Sequence, residues 1–204
     1  MKIFIIIALI GFLIYLIARR FLSANTVETS VVRANYRQYF VAIDTSPKLI
    51  RRVTQSTFRT VGIGFILLLV ALVLGMKIKI LWILIPLSLY LIGQLFVYIN
   101  HLKYTKDQRI YFNTETYEVF VDYIKDHSLS FNLMRDIVRV SEIKSVQKNR
   151  ETLFGYYKLQ VKQGATVVIP YLIEQHENDA NRLFFQYLNE NFKIEVESKL
   201  FPII

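Results

Sequence analysis

Three long stretches without a charged residue constrain this chain more than any other feature. Ile3–Ala18 and Val61–Met76 each run for 16 residues, and Ile80–Ile99 runs for 20. An α-helix rises about 1.5 Å per residue, so the third stretch reaches about 30 Å, the thickness of one bilayer hydrocarbon core. The shorter two reach about 24 Å. They are lengthened by interfacial neighbours, Phe21 and Leu22 for the first and Thr57 and Phe58 for the second. Uncharged runs of this length are rare as core helices of soluble folds, so three transmembrane helices are expected. Only Lys77-Ile78-Lys79 separates the second run from the third, which makes those two an antiparallel hairpin. Gly62, Gly64 and Gly75 on one arm, and Ser88 and Gly93 on the other, invite close backbone approach. Pro86 is expected to kink the third helix, and Gln94 to hydrogen-bond across the pair.

Charge follows the apolar runs. The chain carries a formal +9, and residues 1–102 hold all of that excess, with 11 Lys/Arg against Glu28 and Asp44. Residues 103–204 carry 14 bases and 14 acids. A basic excess confined to the flanks of apolar runs sets membrane orientation and does not mark a nucleic-acid surface. With all three runs spanning, Lys2, Lys77 and Lys79 fall on one side. Eleven bases fall on the other: Arg19, Arg20, Arg33, Arg37, Lys48, Arg51, Arg52, Arg59, Lys103, Lys106 and Arg109. The positive-inside bias makes the second side cytoplasmic. The expectation is a multi-pass protein of the cytoplasmic (inner) membrane, its N-terminus outside and its C-terminal half in the cytoplasm. The first run is read as a retained span. Its only preceding charge is Lys2, and Arg19-Arg20 follow it where a cleavage site would want small residues.

Composition excludes other classes. A hydrophobic fraction of 53% is too high for a disordered chain. The absence of cysteine removes disulfides, thiolate metal ligands and a cysteine nucleophile.

Between the first two runs, Val27–Asp44 mixes β-branched and aromatic residues and reads equally as a strand or a short helix. Ser46-Pro47 is a helix start, with a capping hydroxyl followed by proline at the first helical position. The helix it starts runs into the second span. Lys48, Arg51, Arg52 and Arg59 on this helix form a juxtamembrane basic group at the anionic inner leaflet, read first as a topology anchor.

After Lys106 the apolar period changes to two. Arg109–Asn113 and Thr116–Asp122 form a hairpin, followed by strands at Ser128–Phe131, Ile137–Val146, Tyr156–Lys162 and Thr166–Pro170. The alternation slips between Val140 and Ile143, which predicts a β-bulge there. Ala180, Leu183, Phe184, Tyr187, Leu188 and Phe192 then recur at helical spacing. The result is an α+β chain, with five to seven antiparallel strands closed by one amphipathic helix.

Strands followed by one capping helix are the order of a pleckstrin-homology (PH)-like domain. Five pieces carry the resemblance: the hairpin 61–99, the strand pair 109–122, Leu129-Ser130-Phe131 leading through Arg135-Asp136-Ile137, Val167-Val168-Ile169-Pro170, and the helix 178–192. Together with Asn35-Tyr36-Arg37-Gln38-Tyr39-Phe40, they make the chain resemble the YcxB-like and bacterial PH-domain membrane proteins. The expected organisation is an N-terminal span over 1–22 and a cytoplasmic connecting segment with its juxtamembrane helix over 23–60. A transmembrane hairpin over 61–102 and a PH-like cytoplasmic domain over 103–204 follow.

Catalytic constellations are missing. The chain holds no nucleophile elbow, phosphate-binding loop, dinucleotide fingerprint or zinc-protease helix, and His101, His127 and His176 lie far apart. No enzyme activity, no cofactor, no metal site and no nucleic-acid partner is expected. Lys144, Lys148, Arg150 and Lys158 cluster around the loop 147–155, diluted by Glu142 and Glu151, with Phe154 and Tyr156 beside it. This group is the expected contact surface, whether for a partner protein or for lipid. The leading expectation is a non-enzymatic membrane protein that presents a protein-binding domain as an accessory or scaffold subunit of a membrane complex. The alternative is a tethered module that recognises anionic lipid headgroups.

Overall fold

The computed structural model describes residues 39–124, 128–146, 154–176 and 178–204. All of them belong to one unit, Arg37–Ile204. The first apolar run, Asp126, His127, Lys148 and Arg150 lie outside the described residues. Two of the three expected spans can therefore be followed.

Helix α1 (Pro47–Leu74) begins as its sequence dictates: the Ser46 hydroxyl accepts from Leu49 N at 3.1 Å, and Pro47 takes the first turn. Gly75 ends it, and its carbonyl accepts from Trp82 Nε1 at 2.9 Å across the reversal. A 3₁₀ turn (Lys79–Ile83) leads into α2 (Leu84–Asp107). Pro86 therefore sits in the first turn of α2, where a missing N–H costs no helical bond, and not inside the helix, where it would produce the kink expected of it.

Val53, Thr57, Val61, Gly64 and Ala71 form the buried stripe of α1. At Gly64 a Cβ would lie 2.9 Å from Leu91 Cβ and 3.1 Å from Ser88 O, so glycine is what lets the helices approach. Gly62 has nothing near it. Gln94 pairs with Tyr90, one turn away on its own helix, and not across the pair. The interhelical hydrogen bond is instead between Thr54 Oγ1 and Tyr98 OH. Ile63, Ile66, Leu69 and Val73 on α1, and Leu87, Leu89 and Phe96 on α2, are left exposed. Both helices are long and apolar enough to cross a membrane, and less than a third of each apolar window is buried.

Strand β1 (Val41–Ile43) lies on the N-terminal side of this hairpin, yet it pairs antiparallel with β2 (Gln108–Phe112) on the other side, Ile43 opposite Ile110. The helices are thus an insertion between the first two strands of the sheet. The sequence reading, which starts the PH-like body at 103, misses this because three residues carry no periodicity. β3 (Glu118–Tyr123) and β4 (Leu129–Asn132) complete the first sheet in the order β1-β2-β3-β4.

The second sheet has the order β7-β6-β5-β8, from β5 (Ile137–Ser145), β6 (Gly155–Val161), β7 (Thr166–Pro170) and β8 (Glu195–Lys199). The register shift in β5 falls between Ile137 and Arg139, not between Val140 and Ile143. Val140 is opposite Leu159 and Ile143 opposite Tyr156, with odd separation between them, so the two point to opposite faces. Both are buried, because the outer face of the sheet is covered too.

β8, parallel to β5, was not expected. Its five residues are all exposed, held to β5 by the backbone ladder and the Arg139–Glu195 ion pair, so no apolar alternation marks it. A single turn α3 (Tyr171–Glu174) precedes α4 (Asp179–Asn191). Phe184, Phe185 and Leu188 of α4 close the core between the sheets, with Phe184 edge-on to Phe112 at 5.4 Å. Burying three such side chains contributes roughly 5–9 kcal/mol before ordering entropy is subtracted.

Candidate functional site

The outer face of the second sheet meets the last turns of α2 and the segment Leu200–Ile204. This segment clasps α2. The Phe201 ring lies over Gly93, where a Cβ would come within 2.7 Å of it, and beside Tyr90 at 5.4 Å. His101 Nε2 donates to Pro202 O at 2.7 Å. Asn100 donates to Ile204 O at 3.2 Å and accepts from Ile204 N at 2.7 Å. Gly93 therefore makes room for Phe201 and not for α1.

Beside this clasp is a cavity of about 410 Å³, lined by Tyr104, Gln108, Tyr123, Tyr156, Lys158, Thr166, Val168 and Ile204. Gln108 is 6% exposed; its Nε2 donates to Val168 O at 2.9 Å, and its Oε1 has no partner among the described residues. Lys158 forms no ion pair among the described residues, so one free cation faces a space whose other lining side chains are neutral. Burial raises the Tyr123 hydroxyl, and the nearby Tyr104 adds to the effect. Burial also raises Tyr156, against the Lys199 charge. These phenols stay protonated, able to donate and to accept.

A second, polar groove of about 700 Å³ runs along α4, lined by Glu174, His176, Asn178, Asn181, Arg182, Phe185 and Gln186 among others. Its floor is a network of carbonyls gathered by one side chain. Asn181 Nδ2 donates to Asp44 O, Ile173 O and His176 O at 2.7–3.1 Å. His176 Nδ1 donates to Asp44 O at 3.0 Å and lies 3.2 Å from the Asp44 carboxylate. His176 is thus a latch between the start of α1 and the start of α4. Behind it, Tyr157 donates to Glu174 at 3.0 Å and Tyr171 donates to Glu142. Burial raises both phenols well above the ordinary tyrosine range, and also raises Glu174.

The expected contact residues separate. Lys158 lines the cavity. Lys144 stands 3.6 Å from the Glu142 carboxylate on β5. Phe154 is only 4% exposed, its ring 5.6 Å from His101 and 6.3 Å from Tyr98, so it is an interior joint between sheet and hairpin and cannot serve as an exposed contact. Lys48, Arg51, Arg52 and Arg59 are exposed along α1. Tyr104, Gln108 and Tyr123 were missed. An aromatic residue just beyond the end of an apolar run was the one available signal for Tyr104.

A family model described as PH domain matches residues 39–179, more than half of the chain. It begins before β1 and runs through the helical hairpin to the start of α4. No curated protein and no solved structure matches significantly.

Proposed function

This chain belongs to the PH-domain family, and we propose that it is a non-enzymatic integral membrane protein that holds its PH body against the cytoplasmic leaflet as a docking module for a protein partner in a membrane complex. Membership itself implies binding of protein or lipid; the fold alone does not choose between them. One observation carries the reading: the apolar hairpin is spliced between β1 and β2 of the body. Both chain crossings thus connect directly into one sheet, and no linker frees the body to leave the surface. Weak contacts then suffice, because tethering raises the effective concentration at a partner in the same bilayer. The YcxB-like resemblance, the charge asymmetry of the flanks and the outward apolar faces of α1 and α2 support the same placement.

The groove along α4 is the docking surface on this reading. Copurification of the full chain in mild detergent tests it. A protein retained in fixed ratio, and released by Arg182→Glu with Gln186→Ala on the exposed rim, is the expected result. Retention of the same protein at unchanged ratio by that double variant argues against the groove. Absence of any retained protein argues against the adaptor role.

Lipid recognition is the second reading, and Lys158 favours it. Flotation of the full chain with and without anionic lipid, comparing Lys144→Glu and Lys158→Glu with wild type, separates it from the first.

A further inference from the structure

We propose that the cavity beside the clasp holds the headgroup of a zwitterionic phospholipid, with the phosphate at Lys158 and a primary ammonium at Gln108 among the tyrosines. The inference rests on the membrane placement proposed above and adds a ligand site to it.

Depth comes first. The apolar run ends at Ile99, and Tyr104 follows five residues later on the same helix. At about 1.5 Å per residue, Tyr104 stands about 7.5 Å beyond the hydrocarbon edge, at the outer margin of the headgroup layer. Gln108 begins the strand that continues from this helix. A cavity lined by both opens at the level where headgroups lie. At about 410 Å³ it falls within the size range of small-molecule clefts.

Chemistry comes second. Lys158 supplies a cation with no acid paired to it among the described residues, which suits a phosphate. The bare Gln108 Oε1 is a buried acceptor that requires a donor, and a buried amide oxygen left without one is costly. No acidic side chain lines the cavity to pair with an ammonium, so the contacts left to it are Gln108 Oε1 and the rings of Tyr104, Tyr123 and Tyr156, whose π-rich faces accommodate a cation. A phosphate and an N–H cation a few bonds apart satisfy both ends. A choline headgroup has no N–H for Gln108, and a glycerol headgroup has no cation for the rings.

The test uses the full chain, delipidated in mild detergent and titrated with phosphatidylethanolamine, phosphatidylcholine and phosphatidylglycerol of equal chain length. Native mass spectrometry reads occupancy of the first bound lipid. The expected result is about tenfold preference for phosphatidylethanolamine, the size of one hydrogen bond to a charged group. Gln108→Leu should abolish the preference and Lys158→Ala should weaken phosphatidylethanolamine binding about tenfold, while Lys162→Ala, at an exposed turn outside the cavity, should leave both intact. Lys158 is partly exposed, so its variant keeps the test decisive even if Gln108→Leu misfolds. Equal binding of all three lipids, preference for phosphatidylglycerol, or phosphatidylethanolamine binding unchanged by Lys158→Ala overturns the site. Partition of the same protein into vesicles, scored by resistance to alkaline extraction, is read separately. Insertion without headgroup preference defeats the cavity proposal alone, and failure to insert defeats the membrane placement and the cavity proposal with it.

Discussion

Phe154 and Gly93 show how a residue's meaning changes once its neighbours are known. Next to a basic loop, an aromatic reads as a contact; under His101 and Tyr98 it is a packing joint. Phe154→Ala is therefore expected to lower unfolding stability by about 3–5 kcal/mol, measured by denaturant titration in detergent. Were Phe154 a contact residue, stability would barely change and partner affinity alone would fall. Gly93→Ala puts a methyl group where the Phe201 ring lies. It should loosen residues 200–204 and cost about 1–3 kcal/mol, visible as faster amide exchange in that segment. The buried carboxyl–phenol pairs set a pH dependence. Glu174 binds its proton more tightly folded than unfolded, so its contribution is complete below about pH 4.3 and disappears as pH rises through the raised folded value. Tyr157 and Tyr171 are raised as well, so their contribution holds below about pH 10, the unfolded tyrosine value, and falls above it. Thermal midpoints should drop steeply above that pH, and Tyr157→Phe should flatten the drop; an unchanged slope would mean that these phenols ionise freely in the folded state.

At the scale of elements, the two decisive features are both short strands. β1 supplies the outer neighbour of β2, and without it Ile110 and Phe112 border an open edge. Residues 103–204 expressed alone should therefore fail to give a cooperative unfolding transition. Residues 39–46 joined by a short polar linker to 103–204 should restore one. A cooperative 103–204 fragment would show that the hairpin follows a complete domain. β8 protects the free edge of β5, with Ser141–Ser145 opposite Glu195–Lys199. Val196→Pro removes a backbone donor from β8 and should speed amide exchange across Ser141–Ser145 without unfolding β6 or β7.

For the molecule as a whole, the proposed membrane placement is tested by which side of the bilayer holds the PH body. The chain contains no cysteine, so single substitutions report cleanly. Ile78→Cys in the turn between the helices should react with an impermeant thiol reagent added to intact cells, and Glu190→Cys on α4 only after permeabilisation. The reverse pattern would invert the topology and place the body outside.

Much of this organisation was legible because it is local. Uncharged length marks the helices, Ser46-Pro47 marks the start of α1, and alternation marks β2 to β7; each signal follows from hydrogen bonding or burial within about ten residues. What the tertiary structure alone decided depends on partners far apart in sequence. The strand before the hairpin belongs to the sheet after it, and a slip in alternation is a second covered face. A polar tail becomes β8, and a glycine in α2 receives Phe201. The cavity follows the same rule, since Tyr104, Tyr123 and Lys158 come from three different elements and no spacing relates them. Local patterns record how much of a residue is buried, whereas which residues cover it is settled only when the chain returns.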